Sequence, residues 1–446
     1  MKILIATSRF KDLAGSEITV FEYAEEFKRQ GNEVYIASFE KTSLLEKECE
    51  SAGVSVSTFY DEILINTVWD VIWVLHAPAY YALFARLDYQ AKKVVFSSLS
   101  HFEPLESPPV EVREIDCFTA NSVENERFFC EKFPGYSARV SVLPNSIPDS
   151  FWAVEPTEIE DNKLIIVSNH LPDEVLQLAE RLRNNKWHVD IFGVGYLHRK
   201  VSANDMVNYR ACISIGKTVQ YALGLKIPVF CYDRFGGPGW ITPENVELAA
   251  EYNFSGRCSN LKKSAEELEA CFINDAIPDT ITLQYLFNYA KSNFSLSINL
   301  SKVLSSIDAS NESTILPNVT LKNILAKHLD VFLRDQKRQL EFQDAWITES
   351  QRRSNVEAQL LEVHEAWQIE KKRSHDYPNI EELKAVNANL KEQIVQQNNI
   401  IEVYASKLEK YSKYIIFAKK IRSSKKLYRI SKIAKRFIVL IHKVKK

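Results

Sequence analysis

The sequence predicts an α/β protein of two Rossmann-like halves with a cleft between them, followed by a C-terminal helical coiled coil. Three observations predict it. Short β-branched runs alternate with segments of helical period from residue 2 to about 307. Several of those runs end at a glycine or a histidine, where parallel strands hand over to ligand-binding loops. From about residue 320 glycine is absent, a single proline remains, and Glu, Gln, Lys and Asn become dense. The expected boundaries are 1–154 and 155–308 for the two halves, 319–410 for the coiled coil and 411–446 for a basic amphipathic tail. At 446 residues the chain has room for two ordinary domains and an extended segment.

Residues 2–6, KILIA, read as a buried parallel-type strand, and a loop with Gly15, Ser16 and Glu17 follows it. Residues 18–29 then have helical period, with Val20, Phe21, Ala24 and Phe27 on one face and Gly31 as the stop. Strand runs recur at 34–38, 54–59, 71–75, 94–97, 118–122 and 140–142. His76 and His101 stand just past two of them, where a titratable group faces the crevice of a doubly wound sheet. Hydrogen bonding within their own loops is the other reading of both. Residues 155–162 are polar and acidic and read as a linker. A second series begins with a strand at 164–168, a helix around 174–183 and a strand at 189–192 that ends in Gly193, Val194 and Gly195.

The stretch 213–239 is the most informative. An apolar run, 211–215, stops at Gly216, a helical segment occupies 218–225, and a second strand runs over 228–232. Gly236, Gly237, Pro238 and Gly239 then read as a rigid turn. A strand that stops at a glycine just before a helix leaves free N–H groups aimed at one spot, backed by the helix dipole. Lys217 adds an ammonium there, which makes a cradle for a diphosphate. An ordinary strand-to-helix turn with a solvated lysine is equally compatible with these residues. Helical segments at 265–273 and 281–307 close the second half.

Seven cysteines without CxxC spacing, an odd number, argue for buried thiols in a reducing compartment rather than a disulfide framework. The N-terminus lacks a signal-peptide pattern and no apolar run approaches 18 residues, so the expected location is the cytoplasm. Net charge is −2, yet 411–446 holds 13 Lys plus Arg and no acid, which leaves −15 (−2 minus 13) on the rest. Basic residues flanking short apolar patches describe an interfacial helix on anionic lipid. The acidic body and the apolar content of the tail disfavour nucleic acid as the partner. In 380–411, Ile380, Asn387, Ile394, Ile401 and Leu408 fall seven apart, with Leu383, Leu390, Gln397, Tyr404 and Tyr411 interleaved. That heptad seam predicts a homodimer, with a single long helix folded back on the body as the alternative.

Together these pieces resemble the retaining glycosyltransferases of the GT-B fold, most closely the large family four that uses nucleotide sugars. The resemblance rests on Gly15, Ser16 and Glu17 opening the first helix, DVIWVLHAP around His76, the strand leading to His101, TANS at 119–122 and VLPNSIPDSF at 142–151. In the second half it rests on IFGVG at 191–195 and on ALGLKIPVF through FGGPG at 222–239. It covers roughly residues 1–308. It implies an acceptor held by the first half, a nucleotide-sugar donor held by the second, transfer with retention, and neither a metal nor a cofactor beyond the donor itself. By that likeness the Gly216 amide meets the donor phosphate beside Lys217 and Thr218, Gly15 and Ser16 line the opposite wall with Gly193 and Gly195 nearby, and His101 and His76 contact the reacting sugar or acceptor.

Two departures stand out. The family's glutamate pair, eight residues apart, is replaced by Ile213 and Tyr221, and the Arg and Lys expected within 167–174 are replaced by Asn169 and His170. In their place Lys217 would supply the charge, Gln220 or Tyr221 the ribose contact, and Asn169 or His170 a phosphate contact. The expected function is a transferase at the inner face of the membrane, building a surface polysaccharide or glycolipid on a glycan or glycolipid acceptor. The alternative is a catalytically silent scaffold that pairs through its coiled coil.

Overall fold

A computed structural model describes residues 1–308 except 12, 41–44, 157–158 and 275–276, with a few isolated positions between 323 and 392. The expected heptad seam, the rest of the region 319–410 and the basic tail at 411–446 lie outside the described residues. Within the described residues no helix is long and apolar enough to cross a membrane.

The first half is one parallel sheet of seven strands: β1 (Lys2–Ala6), β2 (Glu33–Ser38), β3 (Ser55–Thr58), β4 (Val68–Val74), β5 (Gln90–Ser98), β6 (Cys117–Ala120) and β7 (Val140–Val142). Their order is β3-β2-β1-β4-β5-β6-β7. Ile3, Leu4, Ile5 and Ala6 are all fully buried, so β1 is a continuous apolar run, as a strand covered on both faces must be. Ile3 pairs with Val34 on one side and Val71 on the other. The order therefore reverses at β1, and the crevice opens beyond the C-terminal ends of β1 and β4. That is where the turn after β1 and His76 lie.

The second half contains β8 (Glu160–Val167), β9 (His188–Phe192), β10 (Tyr209–Ser214), β11 (Val229–Asp233) and β12 (Gly236–Trp240), in the order β12-β11-β10-β8-β9. The first four are parallel, and its crevice lies past β8 and β10. β12 corrects the sequence reading. The glycine-rich stretch expected to be a turn is an edge strand antiparallel to β11, with Phe230 opposite Trp240. The glycines serve close approach: a Cβ on Gly237 would stand 1.9 Å from the Cys231 carbonyl oxygen, and one on Gly236 2.3 Å from that of Leu261.

Two other expectations shift. The linker is shorter than 155–162, because β8 already starts at Glu160. The single helical segment 281–307 is two helices, Thr280–Asn293 and Leu296–Asp308. At the break, Ile147 N donates to Phe294 O (2.7 Å) and Leu296 N to Ile147 O (3.1 Å). Leu286 and Ala290 of the first helix stay in the core of the second half, whereas Leu300, Val303 and Ile307 of the second pack into the core around β1. Only the last helix crosses back to brace the first half.

Candidate functional site

Among the described residues, two of the cavities between the halves lie at the C-terminal ends of the parallel strands. The larger, about 440 Å³, brings Leu13 to Gly15 and Ile18 of the first half against the C-terminal ends of β8, β9, β10 and β11. The smaller, about 200 Å³, joins His101, Asn121 and Asn125 to Gly216, Asn253, Ser255 and Arg257. The larger is of the size that small-molecule sites occupy.

Gly216 has φ 61° and ψ −135°, a conformation that a residue with a Cβ rarely adopts, and this lets β10 turn abruptly into the helix Lys217–Gly224. Its amide donates to Phe254 O at 2.8 Å. The amide that the resemblance assigns to a donor phosphate is thus already occupied. The first-turn amides left without an intrahelical acceptor are those of Lys217 and Thr218, and both residues line the larger cavity.

The Lys217 side chain reaches across to the first half. Its ammonium pairs with the Glu22 carboxylate and stands 3.3 Å from Thr19 Oγ1. Glu22, fully buried on the helix Gly15–Arg29, also accepts the Tyr221 hydroxyl proton, and Lys200 Nζ lies 4.0 Å away. Tyr221 is 4% exposed and stacks on Phe151 with ring centroids 4.3 Å apart. Burial and the Glu22 charge hold its phenol well above the ordinary range, so it stays protonated and donates to Glu22. Ile213 is packed in the core of the second sheet. Gln220 is buried and lines neither cavity.

The cations facing the cleft are mostly ones the sequence reading passed over. Arg199 is held by Asp205 through bonds of 2.8 and 2.5 Å, and Lys200 lies 5.2 Å over the Phe21 ring. Arg257 is clamped by Glu124 of the opposite half, with Nε to Oε1 at 3.1 Å. Arg234 is exposed, lies 4.9 Å over the Phe235 ring, and lines both cavities. Its signal was legible, since it follows Asp233 at the C-terminal end of a parallel strand.

Asn169 and His170 do line the larger cavity. Asn169 Nδ2 donates to Leu13 O at 3.4 Å, and the His170 amide donates to Ser168 Oγ at 3.1 Å. Gly15 and Gly193 line it too, whereas Ser16 and Gly195 do not. Ser16 Oγ bonds instead to the neighbouring Glu17 carboxylate at 2.9 Å.

The two histidines separate. His101 lines the smaller cavity, stacked 4.6 Å from the Phe128 ring, and burial lowers its imidazole below the usual range. His76 lines neither cavity. Its Nδ1 accepts the Ser8 amide at 3.1 Å, and an amide can only donate, so the ring proton sits on Nε2. Burial lowers its pKa to about 4. It is a neutral post that holds the turn after β1.

Among the described residues no group of three or more His, Cys, Asp or Glu side chains is arranged to hold a metal ion. No family model matches the chain, and no curated protein matches it. Among solved structures it is similar to a glycosyltransferase from Rickettsia africae ESF-5, with 12% identity, 70% of this chain and 99% of that one covered, and a TM-score of 0.46. TarM gives 9% identity, 69% and 99% coverage and a TM-score of 0.43. An alpha-glucosyltransferase in complex with UDP and a DNA 13-mer containing an HMU base gives 11%, 69%, 99% and 0.44.

Proposed function

We propose that the protein transfers a sugar from a nucleotide-sugar donor to a glycan or lipid-linked acceptor, with retention, at the cytoplasmic face of a membrane. The observation that carries this is the larger cavity, where the free first-turn amides of Lys217 and Thr218 share one wall system with Arg234, Lys200, Asn169 and His170. In sugar transfer the bond from the anomeric carbon to the diphosphate breaks while a glycosidic bond to the acceptor oxygen forms, and the proton of that hydroxyl passes to the departing phosphate oxygen. Negative charge accumulates on the departing diphosphate, and amides and guanidinium groups are what stabilise it. The smaller cavity, with His101, Asn121 and Asn125, is the place for the sugar and the incoming hydroxyl. The acceptor, surface polysaccharide role and lipid contact rest on the family resemblance and on the basic residues of 411–446.

The test is calorimetry of the full chain with UDP, GDP, ADP, CDP and dTDP and their sugars, followed by release of nucleoside diphosphate in the presence of a lipid-linked acceptor. At least one nucleotide should bind, and Arg234→Ala should weaken it about tenfold or more, the effect of losing one charge-assisted bond. One observation favours the silent scaffold: Glu22 holds Lys217, the ammonium expected to serve a ligand. Binding of no nucleotide and no turnover would decide for that reading.

A further inference from the structure

The charged lining of the larger cavity is mostly cationic, with Arg199, Lys200, Lys217 and Arg234. The first-turn amides of Lys217 and Thr218 suit phosphates, and Asp233 is the single carboxylate among the described residues that line the cavity. Asp233 is 4% exposed and ends β11. One carboxylate oxygen accepts the Arg234 amide at 2.8 Å, and the other accepts Ser168 Oγ at 3.1 Å. Each oxygen thus has one protein donor and a second acceptor position left, so the group is fixed in orientation without being saturated.

Asp233 comes 17 residues after Gly216, within a unit of strand, glycine turn, helix and parallel strand. In nucleotide-binding units of this topology the phosphates sit at the helix N-terminus, and an acid at the end of the next strand meets the ribose hydroxyls. A carboxylate repels phosphate but pairs well with two neighbouring neutral hydroxyls, each of which donates one proton. We infer that Asp233 binds the ribose diol of a nucleoside diphosphate and supplies the carboxylate that the helix Lys217–Gly224 lacks. The inference rests on the nucleotide reading above and adds the ligand's orientation: ribose toward β11, phosphates toward Lys217.

The experiment measures affinities by calorimetry for whichever ribonucleoside diphosphate the full chain binds, for its 2′,3′-dideoxy analogue and for inorganic pyrophosphate. Wild type should prefer the ribonucleotide by about 10- to 100-fold, as loss of hydrogen bonds to a charged group implies. In Asp233→Asn and Asp233→Ala the preference should shrink to within about threefold, with pyrophosphate affinity kept, which also shows that the site is folded. If the alanine variant does not fold, the asparagine variant together with the wild-type preference decides. Equal wild-type affinity for the two nucleotides, or an undiminished preference in the variants, overturns the ribose assignment alone. Binding of no nucleoside diphosphate by wild type overturns the nucleotide reading as well.

Discussion

The pair of Lys217 and Glu22 joins the two halves, and its removal has a calculable cost. The Glu22 side chain has 0% exposure and that of Lys217 12%, so neither charge exchanges its partner freely for water. Lys217→Met keeps the volume and deletes the ammonium. Glu22 is then left with the Tyr221 hydroxyl and with Lys200 Nζ at 4.0 Å. Breaking a buried pair from one side typically costs about 3–5 kcal/mol, and the two remaining partners place this case near 3 kcal/mol. The double variant Glu22→Gln with Lys217→Met removes both charges while leaving an acceptor for Tyr221. It should lie within about 1 kcal/mol of wild type, because a matched apolar or neutral replacement of a buried pair is nearly neutral. The assay is equilibrium urea unfolding of the full chain, followed by tryptophan fluorescence and by circular dichroism, for wild type, each single variant and the double. The signature is non-additivity: the second substitution rescues the first by about 2 kcal/mol. A Lys217→Met cost below about 1 kcal/mol, or a double variant as unstable as the single, would refute the reasoning.

Two further outcomes follow from the same geometry. Buried His76 takes up its proton only near pH 4, whereas the unfolded chain does so near 6.5. Its share of stability is therefore full above pH 6.5 and is lost as pH falls toward 4, by about 2 kcal/mol between pH 7.5 and 5. In His76→Asn, where a side-chain oxygen accepts the Ser8 amide in place of Nδ1, urea midpoints measured across that range should show a shallower slope; an unchanged slope would clear His76 of the effect. Gly193→Ala would put a Cβ 1.9 Å from the Ser168 carbonyl oxygen at φ +141°, and should cost more than about 3 kcal/mol or prevent folding. Gly195→Ala, at φ +88° with open space around it, should cost only about 1–2 kcal/mol, and thermal unfolding of the two variants side by side checks the contrast.

Much of the fold was legible because parallel strands buried on both faces leave continuous apolar runs such as KILIA at β1 and LIIV at the end of β8. The edge strand Gly236–Trp240 was not, since glycine and proline carry the statistics of turns, while here they permit backbone to pass within contact of backbone. In the site, the glycine stop at Gly216 and the position of His101 could be read locally, whereas Asn169 and His170 came from the resemblance alone. The partner of Lys217 could not, because Glu22 lies 195 residues earlier and stands on a helix face that reads as solvated from sequence alone. Likewise nothing local to His76 says that Ser8, 68 residues away, holds its Nδ1.

The residues that stand where the resemblance places its glutamate pair follow from the same packing. Ile213 points into the apolar core with Leu164, Ile166 and Phe230, so a carboxylate there would be buried among hydrocarbon without a partner. At position 221 the neighbour is already an acid: Glu22 accepts a hydrogen bond from the phenol and pairs with the Lys217 ammonium. A second carboxylate at that point would set two buried negative charges against one nearby ammonium, an arrangement that burial makes strongly unfavourable. The chain thus has its acid on the first half and a neutral donor on the second, and this fixes the halves together at the cost of the acceptor that the helix would otherwise offer a ligand. On the proposed nucleotide reading, a ligand hydroxyl in the cleft finds its carboxylate at the neighbouring strand end, in Asp233.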